Sequence, residues 1–205
     1  MNALTEKEQA EGYRLLFDGE TLNGWEATRK PEVWLAENGH LVCKGGSGGY
    51  LHTKEQFEHF ELHVEYKTAP GVNSGIFFRW TDLDDPVNTG LEMQILDTYD
   101  QDAMTSHSSG ALYDLVAPSS NAVRPAGEWN RIRIACEGSR IELELNGTVV
   151  VEADIDEWTV AGQNPDGTPN KFKYAWRDRP RKGYIGLQDH GGYIEFRNVK
   201  LRELK

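Results

Sequence analysis

Between Phe60 and Lys67 the chain alternates without a break: Phe60, Leu62, Val64 and Tyr66 fall on one side, and Glu61, His63, Glu65 and Lys67 on the other. An extended strand with one buried and one solvated face places successive side chains in this way. Shorter β-type runs cover residues 75–80, 91–97, 131–136, 140–145, 149–152, 184–188 and 193–202. Turn dipeptides such as Asp18-Gly19, Asn38-Gly39, Pro70-Gly71, Asn146-Gly147 and Gly191-Gly192 punctuate the chain, and Asn146-Gly147 joins two of the runs as a tight hairpin. No long segment repeats with period 3.6. The pattern therefore predicts an all-β antiparallel sandwich of two sheets rather than an α/β fold. Residues 1–12 read as an N-terminal arm, with Thr5 and Glu8 at capping-box spacing, and residues 13–205 as one β-sandwich domain.

Charge narrows the partners. With 22 Lys+Arg against 33 Asp+Glu, the formal charge of −11 opposes binding to nucleic acid or anionic lipid. The lack of a long apolar run argues against a membrane-spanning helix. Residues Met1–Glu8 contain no basic stretch followed by an apolar segment, so the expectation is a cytoplasmic protein, or a periplasmic or secreted one whose signal has been removed. Cys43 and Cys136 are too few for a disulfide scaffold, and Cys136 reads as a small buried hydrophobe.

In a sandwich, the outward face of a curved sheet forms a cleft, so the polar residues that alternate with core residues are the place to look for chemistry. On residues 91–97, core positions Leu91, Met93 and Ile95 leave Glu92 and Gln94 on the other face, with Asp97 at the strand end. On residues 184–192, Ile185 and Leu187 point inward, so Tyr184, Gln188 and His190 share the open face. On residues 73–80, Ile76 and Phe78 mark the core side and leave Asn73, Gly75 and Arg79 outward. Carboxylate, amide, guanidinium and imidazole would then converge, a set able to move a proton, steady an oxyanion and hold sugar hydroxyls. Each also has a plainer reading: His190 as a structural residue beside a Gly-Gly turn, Glu92 as a solvated carboxylate, Arg79 as its ion-pair partner.

For a hard divalent cation the best ligand set is Glu92, Asp97 and His190, with His107 and Asp114 behind it. His52, His59 and His63 read as exposed and form no metal pattern. Residues 154–182 break both periodicities and read as a long excursion, either a wall over the site or a surface loop anchored by Trp158, Phe172, Tyr174 and Trp176.

Several segments, in order, resemble the 3-keto-disaccharide hydrolase family: Leu16-Phe17-Asp18-Gly19 with Leu22-Asn23-Gly24-Trp25, Asn73 to Arg79, Glu92 to Asp97, Gly110 to Leu115, Gly127 to Asn130, and Gly183 to Gly191. The resemblance runs from about Tyr13 to Leu204. It implies a concanavalin-A-like, glucanase-type jelly roll and cleavage of glycosides already oxidised at C3, with a small sugar or glycoside as partner. It further implies His190 as base or metal ligand, Glu92 as acid/base or metal ligand, and Arg79 as an oxyanion or hydroxyl anchor. Asn73, Gln94, Asp97, Tyr113, Tyr184 and Gln188 would bind substrate, and a divalent metal ion is the cofactor to expect. A noncatalytic carbohydrate-binding or lectin-like module is the alternative for the same fold.

Overall fold

The alternating segment becomes the middle of a sheet. In the computed structural model, which describes residues 2–204, the strands in chain order are β1 (Arg14–Leu15), β2 (Trp25–Ala27), β3 (Trp34–Glu37), β4 (His40–Cys43), β5 (Tyr50–Thr53), β6 (Phe60–Thr68), β7 (Asn73–Trp80), β8 (Leu91–Leu96), β9 (Asn130–Glu137), β10 (Arg140–Leu145), β11 (Thr148–Asp154), β12 (Tyr184–Gln188) and β13 (Ile194–Glu203). Eight make one antiparallel sheet in the order β11-β10-β9-β6-β13-β4-β3, with β1 added against β13; five make the second, β2-β5-β12-β7-β8. The two-sheet antiparallel architecture expected from the pattern is what forms. Short strands β2 to β5, interleaved with turns, were not legible as strands.

The core lies between the sheets. Leu62 and Val64 of β6, Ile132 and Ile134 of β9 and Leu143 of β10 meet Ile76 and Phe78 of β7, Met93 and Ile95 of β8, and Ile185 and Leu187 of β12; all are buried. Each such side chain contributes about 1.5–3 kcal/mol on burial. Cys43 and Cys136 are unpaired and buried within the same cluster. Asn146 and Gly147 both take positive φ, 53° and 86°, the conformation a two-residue hairpin turn demands.

The arm folds as a short helix α1 (Glu6–Ala10), whose capping box pairs Thr5 with Glu8; an ion pair from Glu8 to Lys200 fastens it to β13. No helix among the described residues is long and apolar enough to cross a membrane. The excursion at 154–182 is pinned by buried Trp158, Phe172 and Trp176, with the Trp158 indole donating to Asn164 Oδ1 at 2.9 Å. Tyr174, expected among the anchors, is instead 44% exposed.

Candidate active site

The candidate residues gather on the outer face of the five-stranded sheet. Its register aligns Glu26, His52, Gly186, Phe77 and Glu92 across the strands, and places Tyr50 opposite Gln188 and Gly75 opposite Gln94. Glycine at 75 is required here because a Cβ would collide with the Glu92 carboxyl, which leans across it. Tyr50, Phe77, Trp80, His52 and Tyr184 form an aromatic wall: ring centroids lie 4.9 Å apart for Tyr50 and Phe77, 5.1 Å for Tyr50 and Trp80, and 5.2 Å for His52 and Tyr184. Phe77, Trp80 and His52 are buried beneath, so the part-exposed rings of Tyr50 and Tyr184, beside amides and a carboxyl, are what suits a ligand with C–H faces and hydroxyl edges.

Glu92 is the electrostatic centre. Burial pushes its pKa up to about 8, opposed only by the nearby Lys171 ammonium, so the carboxyl is mostly protonated at neutral pH. Its side chain has no hydrogen-bond partner among the described residues. Lys171 reaches the site from the excursion; its Nζ sits 4.0 Å from the Tyr113 ring centroid. Its backbone N–H donates to Asp114 Oδ2 at 2.8 Å, and Asp114 Oδ1 pairs with His107 Nε2 at 3.0 Å. Tyr113 is held beside Glu92 by its N–H to the Glu92 carbonyl, 2.9 Å.

The amides line the adjoining floor. Gln94 Nε2 donates to Asn73 Oδ1 at 2.9 Å. Gln188 Nε2 donates to the Tyr50 hydroxyl at 3.4 Å, while Gln188 Oε1 is buried without a partner. Burial raises the Tyr50 pKa, so its phenol stays neutral and able to donate. His190 is exposed and lines a 360 Å³ pocket with Tyr50, Gln188 and the glycine run at 46–48. Asp189 fixes that pocket by accepting from both the N–H of Ser47, at 2.6 Å, and its hydroxyl, at 2.5 Å.

Arg79 does not join the cleft. It takes φ 51°, and opposite it β12 passes from Tyr184–Trp80 pairing to Gly186–Phe77 pairing, so two β7 residues, Phe78 and Arg79, face the single β12 residue Ile185. This bulge turns Trp80 outward and Arg79 inward, while Phe77 faces outward by ordinary alternation with Ile76 and Phe78. The Arg79 guanidinium is 2% exposed and donates to the Glu58 carbonyl from Nε at 3.2 Å and Nη2 at 3.0 Å. The sequence does carry a trace of the bulge: Gly183, where a Cβ would strike the backbone of Arg79 and Trp80.

Nor do Glu92, Asp97 and His190 make a cation site. Asp97 Oδ2 is engaged by the Gly71 N–H at 2.8 Å, and no group of three or more His, Cys, Asp or Glu residues able to hold a metal occurs among the described residues. Among the described residues the donor set does not fit a metal. His52, expected to be exposed, is buried, with Nδ1 2.8 Å from the Thr53 carbonyl. A larger depression of about 770 Å³ lies near Arg133 and Trp158, but there Arg133 is paired with Glu61, Glu142 and Glu144. The Glu92 cleft, where a lone acid meets amides and aromatics, is the better chemical candidate.

Tyr50, Lys171 and the Phe77–Trp80 wall are the site residues that sequence reasoning missed. The break in periodicity at 154–182 marked the segment carrying Lys171 but could not single out the residue.

A two-sheet sandwich with a polar, aromatic-walled cleft on one outer face defines a carbohydrate-active protein of the concanavalin-A-like class once its relatives are considered. The model of the 3-keto-alpha-glucoside-1,2-lyase-like domain matches residues 12–202, and the chain belongs to that family. A protein of Bacteroides thetaiotaomicron named 3-keto-disaccharide hydrolase is 30% identical over 239 aligned residues, spanning 100% of this chain and 82% of the relative. Two crystal structures from Parabacteroides distasonis, both provisionally called glycosyl hydrolases, superpose closely. One has TM-score 0.83 and 35% identity, covering 94% of this chain and 99% of the other. The second has TM-score 0.82 and 26% identity, covering 100% and 99%.

Proposed function

We propose that this protein cleaves 3-keto-glycosides by β-elimination followed by hydration, with Glu92 as the proton-transfer residue. A ketone at C3 acidifies the C2–H. Glu92, as carboxylate, takes that proton; the electron pair moves into an enolate on the C3 oxygen, then forms the C1=C2 bond as the C1–O bond breaks. The leaving oxygen takes a proton, giving the aglycone and a 2-hydroxy-3-keto-glucal. Water then adds across C1=C2 to give the free 3-keto sugar. No oxocarbenium ion and no pair of carboxylates is needed.

The site is suited to these steps. A carboxylate with pKa about 8 is a much stronger base than an ordinary one, and roughly one-tenth of it is ionised at pH 7. The Lys171 ammonium supplies positive charge for the enolate. The neutral phenol of Tyr50 can protonate the leaving oxygen, and exposed His190 stands at the mouth. The part-exposed amides of Asn73 and Gln188 would serve sugar hydroxyls.

The observation that carries this reading is the solitary, mostly neutral carboxyl of Glu92 beside an ammonium, in a chain of this family. Incubation with a 3-keto-glucoside in D₂O tests it. Aglycone release with deuterium at C2 of the sugar product is expected. Saturable sugar binding with no release, with or without added divalent cation, would make the protein a binding module instead.

A further inference from the structure

We propose a second ligand site on the outer face of the eight-stranded sheet: a pocket for a small ligand bearing an oxyanion, built by Arg124, Arg131 and Arg197. The pocket encloses about 250 Å³, below the range of drug-sized sites and suited to a small molecule. The only carboxylate in its lining is Glu65. Three guanidiniums against one carboxylate run counter to a chain carrying 33 acidic and 22 basic residues.

Two of the arginines are held in place, and all three have donors to spare. Glu65 lies between two of them, cross-strand partner of Arg131 on β9 and of Arg197 on β13. Arg197 gives only its Nε to Glu65 Oε2, 2.8 Å, and its guanidinium lies 3.8 Å from the Trp129 ring centroid. Stacking and one anchored nitrogen fix the plane of this fork and leave its terminal nitrogens free. Arg124 uses Nη1 on the Trp129 carbonyl at 3.1 Å. The Arg131 side chain has no partner among the described residues.

The backbone beneath is equally fixed. The N–H of Arg124 donates to Asn130 Oδ1 and that of Arg131 to Asn146 Oδ1, each at 2.8 Å, and Asn146 Nδ2 closes the network onto Asn130 Oδ1 at 2.8 Å. Guanidinium forks with unused N–H donors, two of them anchored, match carboxylate, sulfate or phosphate oxygens. The site is separate from the Glu92 cleft and independent of the reaction proposed there.

The test is a titration of the ¹⁵N-labelled full chain, at constant ionic strength, with inorganic phosphate, sodium sulfate, glucuronate and, as neutral control, glucose. Saturable shifts of the Trp129 indole and Asn146 side-chain signals are expected with the anions and not with glucose. The anion giving the tightest saturation identifies whether the group is a phosphate, a sulfate or a sugar carboxylate. Arg131→Ala and Arg124→Ala should each weaken binding about tenfold or more, with Arg131→Lys intermediate, while cleavage of a 3-keto-glucoside is unchanged. Shifts that grow linearly, that glucose reproduces, or that persist in both alanine variants would overturn the proposal.

Discussion

The Glu92 carboxyl rests across Gly75 on the neighbouring strand, in space a β-carbon would fill. A side chain at 75 therefore has to push the acid out of position. Gly75→Ala should keep the fold, because residue 75 is in ordinary strand geometry and the displaced atoms end a flexible side chain. Turnover of a 3-keto-glucoside should fall about 100-fold, the cost of misplacing a reacting group by about an ångström. Circular dichroism together with initial rates checks both halves.

Glu92→Gln removes the proton-transfer group and keeps the shape. Activity should drop between about 10²- and 10⁴-fold with sugar binding retained; full activity in this variant would exclude Glu92 as the base.

The same residue sets a pH dependence of stability. Its folded pKa, about 8, lies above the ordinary 4.5, so between these values the folded state holds a proton that the unfolded chain releases. This contribution is complete below pH 4.5 and is lost as pH rises through 8. Thermal melts of wild type and Glu92→Gln should therefore diverge from pH 5 to pH 9, the variant gaining relative to wild type. Parallel curves would contradict the burial of this carboxyl.

Lys171 lowers the Glu92 pKa, so Lys171→Met should raise it further. The ascending limb of the kcat/KM profile should move to higher pH, and the rate at pH 7 should fall more than the rate at pH 9. An unshifted limb would place the ammonium outside the electrostatic field of Glu92.

Arg79→Met separates structure from chemistry. It leaves the Glu58 carbonyl without its two donors, and should cost about 2–3 kcal/mol in denaturant unfolding, with turnover of the folded protein preserved.

Much of this was legible from alternation. Phe60–Thr68, Leu91–Leu96 and Tyr184–Gln188 form strands with the expected faces; Glu92, Tyr184 and Gln188 are part-exposed on the outer face, whereas Gln94 is buried there. Alternation failed at Arg79 because a single extra residue reverses every later side chain on the strand, and nothing in Phe77-Phe78-Arg79-Trp80 marks where it enters. Tyr50 was hidden in a strand only four residues long, beside a glycine run. Lys171 was out of reach for a different reason: its position depends on Asp114, far away in the chain, and no local period encodes such docking.

The Ser47–Asp189 contact joins segments 142 positions apart in the chain. Asp189 also receives the Gly191 N–H at 2.8 Å, so one anion knots the glycine run and the turn bearing His190 into a single cooperative unit. Against the opposing effect of burial, the bonds from Ser47 and Gly191 hold the Asp189 carboxyl below the usual carboxylate range, so the two rims of that entrance stay fastened together until strong acid neutralises it.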